Sequence, residues 1–239
     1  MPRRPRQGCG QLIFHVMNRA VQNLVLFECQ SDYGGFIQIF LDTMARIPMR
    51  VLAYALMPNH WHLVLWPLHD GDLPAFMKWL TATHAQALRR ANGSSGRGAV
   101  YQGRYKAIAV QSDRHLVQLC RYVERNPLRG KLVAHAEDWQ WTSAAPEASR
   151  QGHPELARWP IPRPDNWLDL LNTPEPVDTL KRIRTAIRYG RHFGTLEWRI
   201  HTAERLAWRE GYRGRGRTWE TRPAEAGAEL DLTQLHTIL

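Results

Sequence analysis

From Met49 to Trp66 the chain is an apolar run, rich in β-branched and aromatic side chains and broken once, by the turn-forming pair Pro58-Asn59. That pattern predicts two adjacent strands, Met49 to Met57 and His60 to Trp66, joined by a short turn. A chain holding such a pair must build a sheet around it, and the flanking segments supply the rest. Gln11 to Val16 reads as a strand, and Ser31 to Ile47 carries Phe36, Ile37, Phe40, Leu41 and Met44 at helical spacing. A second helix is expected from Asp72, its cap, with Pro74 in the first turn, through Phe76, Trp79, Leu80 and Leu88 to Arg89-Arg90. The cluster Asn92-Gly93-Ser94-Ser95-Gly96 ends it. Tyr105 to Gln111 reads as a strand, and Ser112 or Asp113 caps a third helix with Leu116, Leu119, Cys120 and Val123, which should stop near Asn126 because Pro127 follows. Strands and helices in this order predict an α+β fold, one antiparallel sheet with packed helices.

Residues 1–150 are read as this core. Residues 151–176 belong to a proline-dense stretch without periodicity, read as a linker or wrapping segment, and residues 177–239 as a helical, basic C-terminal extension. Within the extension, Val177 to Tyr189 and Thr195 to Arg209 have helical patterns, and Gly211-Tyr212-Arg213-Gly214-Arg215-Gly216-Arg217 is a glycine-spaced basic run.

With 239 residues, 44% of them hydrophobic, and ten tryptophans, the chain can bury a substantial core. Its formal net charge of +10 and pI near 10.1 favour a polyanionic partner, either nucleic acid or an anionic membrane surface. No apolar run reaches the roughly 18 to 20 residues that a membrane crossing needs, and the start, Met1-Pro2-Arg3-Arg4-Pro5-Arg6, leads into no signal-type segment. A soluble cytoplasmic protein is expected. Cys9, Cys29 and Cys120 are widely spaced without a CxxC pair and read as reduced thiols.

His60-Trp61-His62 is the sharpest local signal. Residues two apart on a strand share a face, so both imidazoles can converge on one cation while Trp61 enters the core. Alone, such a pair is more simply an ordinary surface or satisfied pair of histidines. Tyr122 and Asn126, four apart on the third helix, also share a face. A lone tyrosine there is most simply a partly buried aromatic with its hydroxyl at the surface.

Together, Met57-Pro58-Asn59-His60-Trp61-His62-Leu63-Val64-Leu65, Tyr101-Gln102-Gly103-Arg104-Tyr105-Lys106 and Arg121-Tyr122-Val123-Glu124-Arg125-Asn126-Pro127-Leu128-Arg129-Gly130 closely resemble the REP-associated tyrosine transposases, relatives of the single-tyrosine HUH insertion-sequence transposases. Phe14-His15-Val16-Met17-Asn18-Arg19 looks like the family's opening strand, and Arg188-Tyr189-Gly190-Arg191-His192-Phe193-Gly194 like its C-terminal basic segment. One departure is Ala20, where relatives commonly have glycine.

The resemblance implies a ferredoxin-like core whose sheet carries the histidines and whose third helix presents the tyrosine opposite them. It implies Tyr122 as nucleophile, His60 and His62 as metal ligands, and Asn126 at a third polar ligand position. The ion would be Mg²⁺ or Mn²⁺, the imidazoles tilting the preference toward Mn²⁺. The implied partner is single-stranded or hairpin DNA of the repetitive extragenic palindrome type, cleaved through a 5′-phosphotyrosine by a chain favoured as a monomer.

Arg104, Lys106, Arg121, Arg125, Arg129, Arg188 and Arg191, with Arg213, Arg215 and Arg217 of the basic run, are the candidate phosphate contacts, though a solvated basic surface has the same composition. Two other readings stay open: a hairpin-DNA-binding regulator without cleavage, and a metal-dependent hydrolase of a small phosphorylated substrate. The second would leave the basic excess and the tyrosine helix unexplained.

Overall fold

The computed structural model describes residues 10–21, 24–91 and 98–206. Strand β1 (Ile13–Arg19) is followed by helix α1 (Gln30–Arg46), strands β2 (Met49–Met57) and β3 (His60–Pro67), helix α2 (Asp72–Ala91) and strand β4 (Lys106–Val110). The sheet runs β2-β3-β1-β4 with every neighbouring pair antiparallel, which is the ferredoxin-like arrangement. Helices α3 (Arg114–Glu124), α4 (Asn126–Arg129), α5 (Trp167–Asn172), α6 (Val177–Tyr189) and α7 (Leu196–Arg205) complete the described chain. No described helix is long and apolar enough to cross a membrane.

Strand alternation divides the interior in two. On one face Phe14, Val16, Tyr54, Trp61, Leu63 and Leu65 meet Phe36 and Phe40 of α1 and Phe76 and Leu80 of α2. On the other, Ile13, Leu52, Val64, Ile108 and Val110 meet Leu116, Leu119, Cys120 and Val123 of α3, together with Trp167, Leu171, Ile183 and Ile187 of α5 and α6. The sheet is therefore buried on both sides, and β3 feeds both cores with alternate residues.

Local signals explain most element ends. Asp113 caps α3, its carboxylate accepting the His115 N–H at 2.8 Å. Asp72 instead begins α2, and its carboxylate accepts the His69 N–H at 2.7 Å, tying down the preceding turn. The third helix does stop before Asn126, but the chain then re-enters helix as α4 with Pro127 in its first turn. Proline there forfeits no hydrogen bond, so it re-aims the helix without ending helical structure. Gly130 closes α4 against β2: a Cβ at this position would lie 3.0 Å from Met57 Cε and 3.2 Å from the Asn126 carbonyl oxygen. Ala20 needs no glycine conformation, because its φ is not positive and it sits in a bridge to Tyr101 with its N–H donating to the Asn59 carbonyl at 2.9 Å.

The later segments seal the sheet's edges, which would otherwise expose unpaired backbone. Leu156 bridges Val51 on β2, and Ala157 N–H donates to the Val51 carbonyl at 2.8 Å. At the opposite edge, Gly190 ends α6 in the left-handed region with φ 66° and turns the chain so that Phe193 bridges Val110 on β4. His192 accepts the Ala109 N–H there at 3.1 Å. The proline-dense stretch also meets α3 through buried Glu124, whose carboxylate accepts from Ser143 Oγ and Trp167 Nε1, each at 2.6 Å, and pairs with Arg163 at 3.6 Å.

Candidate functional site

On the α3 side of the sheet, β1 presents His15, Met17 and Arg19 while β3 presents His60 and His62. The register sets Arg19 opposite His60, Met17 opposite His62 and His15 opposite Val64, so His15 lies diagonally across from His62. Its Nε2 is 2.8 Å from His62 Nδ1, with the two rings only 10° from parallel. His60 and His62 stand nearly perpendicular, with ring centroids 5.1 Å apart. Asn59 Oδ1 lies 2.6 Å from His60 Nδ1. Each candidate ligand thus has its Nδ1 engaged, and the Nε2 of each has no hydrogen-bond partner among the described residues.

Burial is the largest influence on all three imidazoles. It pushes His15 down to about 3 and His60 to about 4, and it holds His62 well below the usual histidine range. Arg19 and Arg129 add cationic repulsion at His60, while His62 feels His15 and His60 before those arginines. The three rings are therefore neutral at ordinary pH, the state in which an imidazole can ligate a cation.

Helix α3 brings Tyr122 over this cluster. Its ring meets His62 edge to face with centroids 6.0 Å apart, and His15 likewise at 6.5 Å. The Arg129 guanidinium lies over the tyrosine ring, 4.2 Å from its centroid. Asn126 is one helical turn beyond Tyr122, and its amide is already hydrogen-bonded. Asn126 Nδ2 donates to the carbonyls of Tyr122 and Val123 at 3.2 and 3.3 Å, and its Oδ1 accepts from Arg129 at 2.9 Å. That oxygen has a second lone pair, so its bond to Arg129 leaves one acceptor position for an ion.

Among the described residues, no three His, Cys, Asp or Glu side chains are grouped so as to hold an ion. Two unpaired, neutral imidazole nitrogens still fit a hard divalent cation that keeps several waters and takes a phosphate oxygen, since such an ion needs no complete protein cage.

The arginines assigned to phosphate from sequence fall into distinct groups. Arg121, Arg125 and Arg129 turn into the chain, where residues 170–175 form a strap along α3 and α4. Arg121 donates to the carbonyls of Leu170 and Thr173, both at 2.7 Å, and Arg125 to those of Leu171 and Thr173. Glu175 Oε2 lies 3.3 Å from Arg125 Nε and 2.7 Å from Arg129 Nη1. Arg121 on α3, Arg125 at its C-cap and Arg129 on α4 all meet this strap.

Arg104, Lys106, Arg188 and Arg191 are exposed. Desolvation of its ammonium, then the charges of Arg19 and Arg188, hold Lys106 below its usual range, and Arg19 stands opposite His60 in register. Arg188 and Arg191 flank the Tyr189 ring at 5.5 and 5.4 Å. Arg213, Arg215 and Arg217 lie outside the described residues, as does Cys9; Cys29 and Cys120 are free thiols.

Sequence reasoning assigned no role to His15 or Arg19. The available signal was their parity: with Met17 they occupy alternate positions on β1, but only the pairing of β1 with β3 reveals which histidine His15 meets.

Residues 10–126 match the family of IS200-like transposases. Among solved structures, a REP-associated tyrosine transposase bound to a REP hairpin is similar in fold, with a TM-score of 0.50 and 17% identity over 64% of this chain and 88% of that one. A candidate transposase from Deinococcus radiodurans R1 aligns over 47% of this chain and 88% of that one, at 22% identity and a TM-score of 0.34. No curated protein matches the chain. The matched segment runs from the first strand to Asn126 and contains the histidine cluster and Tyr122, and over that segment the chain belongs to the IS200-like transposase family.

Proposed function

We propose that this chain is a REP-associated type of transposase that cleaves and rejoins single-stranded DNA at the foot of a hairpin, with Tyr122 as nucleophile. The observation that carries the reading is the placement of the Tyr122 ring edge-on to His62 at 6.0 Å, beside two imidazoles whose Nε2 atoms are unpaired among the described residues. His60 and His62 would hold a divalent cation, Mg²⁺ or Mn²⁺, which when bound offsets the negative charge that builds on the scissile phosphate.

The Tyr122 oxygen attacks phosphorus as the bond to the 3′ oxygen breaks. The phenol loses its proton to solvent, the departing 3′ oxygen gains one, and the product is a 5′-phosphotyrosine with a free 3′ hydroxyl. Reversal of the same step on another 3′ end joins strands without a nucleotide cofactor. Burial of Tyr122 between α3 and the sheet limits the ring's motion, so much of the alignment is present before DNA arrives. Arg129, held by Glu175 and Asn126, lies over that ring.

Arg19 is the cation nearest His60 in register and joins the exposed Arg104, Lys106, Arg188 and Arg191 as a proposed contact for DNA phosphates. Tyr189, between two arginines, is suited to stack on a base. The basic run with Arg213, Arg215 and Arg217 is proposed as a further grip on the hairpin stem. The division into a core to residue 150, a wrapping segment and a basic extension is likewise proposed.

The test is incubation of the full chain with labelled hairpin DNA from the flanks of its own gene, with Mn²⁺ or with EDTA. A denaturation-resistant adduct that forms only with Mn²⁺ and maps to Tyr122 is expected. Hairpin binding without any adduct would replace this reading with that of a DNA-binding regulator.

A further inference from the structure

We infer that His15 is a positioning residue for the cation site: as a hydrogen-bond acceptor it fixes His62 in the tautomer whose Nε2 lone pair faces the ion. The inference rests on the reading of His60 and His62 as cation ligands.

A neutral imidazole has one N–H and one lone pair, so its donor nitrogen determines which nitrogen can ligate. At His60 the choice is made by Asn59 Oδ1, 2.6 Å from Nδ1: a carbonyl oxygen can only accept, so Nδ1 carries the proton and Nε2 is left with its lone pair. At His62 the equivalent position is held by His15 Nε2, 2.8 Å from Nδ1 and buried. Between two neutral imidazoles at that distance one nitrogen donates and the other accepts. If His62 donates, its Nε2 is a ligand; if His15 donates, His62 must carry its proton on Nε2 and the ligand is lost. A working site therefore requires His15 to keep its proton on Nδ1 and accept at Nε2.

A partner of this kind, hydrogen-bonded to the far nitrogen of a ligating histidine, both orients the ring and raises its basicity. His15 is placed for that task by β1, whose register with β3 brings it diagonally to His62, and its ring lies within 10° of the ligand's plane. It also meets the Tyr122 ring edge-on with centroids 6.5 Å apart, so one side chain contacts both the proposed ligand and the proposed nucleophile.

The experiment measures Mn²⁺ binding to the full chain without DNA, by the electron paramagnetic resonance signal of free Mn²⁺. His15→Phe, which keeps a ring against His62 and removes the acceptor, should weaken binding by about 10- to 100-fold. His15→Gln, which can return an acceptor oxygen, should recover most of the loss. Wild-type affinity in His15→Phe, or a Gln variant as weak as the Phe variant, overturns the inference. His60→Ala and His62→Ala serve as the controls. If they lose Mn²⁺ while His15→Phe keeps it, the cation site stands and only the role of His15 falls; if they keep it, the site reading fails first. Nitrogen-15 spectra of the wild-type imidazoles give an answer that does not depend on any variant folding. A proton on His62 Nδ1 supports the inference, and one on Nε2 overturns it.

Discussion

The two faces of the sheet are built from the same strands and have opposite characters. Toward α1 and α2, β3 sends Trp61, Leu63 and Leu65 into an apolar layer where Phe36, Phe40 and Phe76 are fully buried. Toward α3 it sends His60 and His62 into a cluster with His15, Tyr122 and Arg129. One strand can thus hold the proposed ligands in place because its other face is anchored in packed aromatic rings. Most buried polar side chains on the site face have a neighbour to bind: His62 has His15, Asn126 has Arg129, and Arg129 has Glu175. The faces should accordingly fail in different ways when altered.

The largest expected effect is on the site face and on chemistry alone. Tyr122→Phe keeps the ring's contacts with His62, His15 and Arg129 but removes the proposed attacking oxygen, so cleavage should fall by at least about a thousandfold with hairpin affinity nearly unchanged. Adduct formation and binding isotherms measured side by side would check it, and cleavage at a tenth of the wild-type rate would point to another nucleophile.

Phe40→Ala tests the opposite face, where the ring is fully buried among Phe36 and Phe76. A loss of about 3–5 kcal/mol in urea unfolding is expected. Mn²⁺ affinity of the folded variant should be unchanged; an equal loss of both would mean that the two faces are not separable. A smaller change is expected at the strap. Glu175→Gln removes the charge shared by Arg125 and Arg129 and should cost about 1–3 kcal/mol. An unchanged unfolding midpoint would show that the Glu175 charge contributes nothing to stability.

The contrast between faces also accounts for what could be read before the structure was seen. The alternation around His60-Trp61-His62 announces a strand with two destinations, and the apolar spacing of α1, α2 and α3 announces the helices that cover it. Tyr122 and Asn126 were legible as neighbours because four residues make one helical turn. The engagement of Asn126 with Arg129 was not, since it depends on α4 resuming after Pro127. His15 and Arg19 were hidden for a different reason: their roles come from pairing between strands more than forty residues apart, which no local pattern encodes. Arg121, Arg125 and Arg129 read as phosphate contacts by composition alone. Only the path of residues 170–175 shows carbonyl and carboxylate groups meeting them first.

The smallest expected effect compares buried histidines across the sheet by pH. His84 lies on the aromatic face, its Nδ1 2.6 Å from the Tyr101 hydroxyl, and burial pushes it down to about 4, with Asp32 opposing weakly. In the unfolded chain the same imidazole titrates near 6.5. Above that pH it is neutral in both states and contributes no pH dependence. As pH falls from about 6.5 toward 4 the unfolded form takes up a proton that the folded form refuses, so stability declines through that window. His84→Gln keeps a polar partner for Tyr101 and removes the titration. The slope of unfolding free energy against pH between about 6 and 4.5 should then become shallower by up to about 1.4 kcal/mol per pH unit. The rise in melting temperature caused by saturating Mn²⁺ at neutral pH should be the same as in the wild type, because His84 faces away from the proposed ligands, whereas His62→Ala should abolish it. Parallel slopes in the variant and wild type would show that His84 is not held neutral by the fold. A Mn²⁺ response lost with His84 would show that the aromatic face does more than anchor β3.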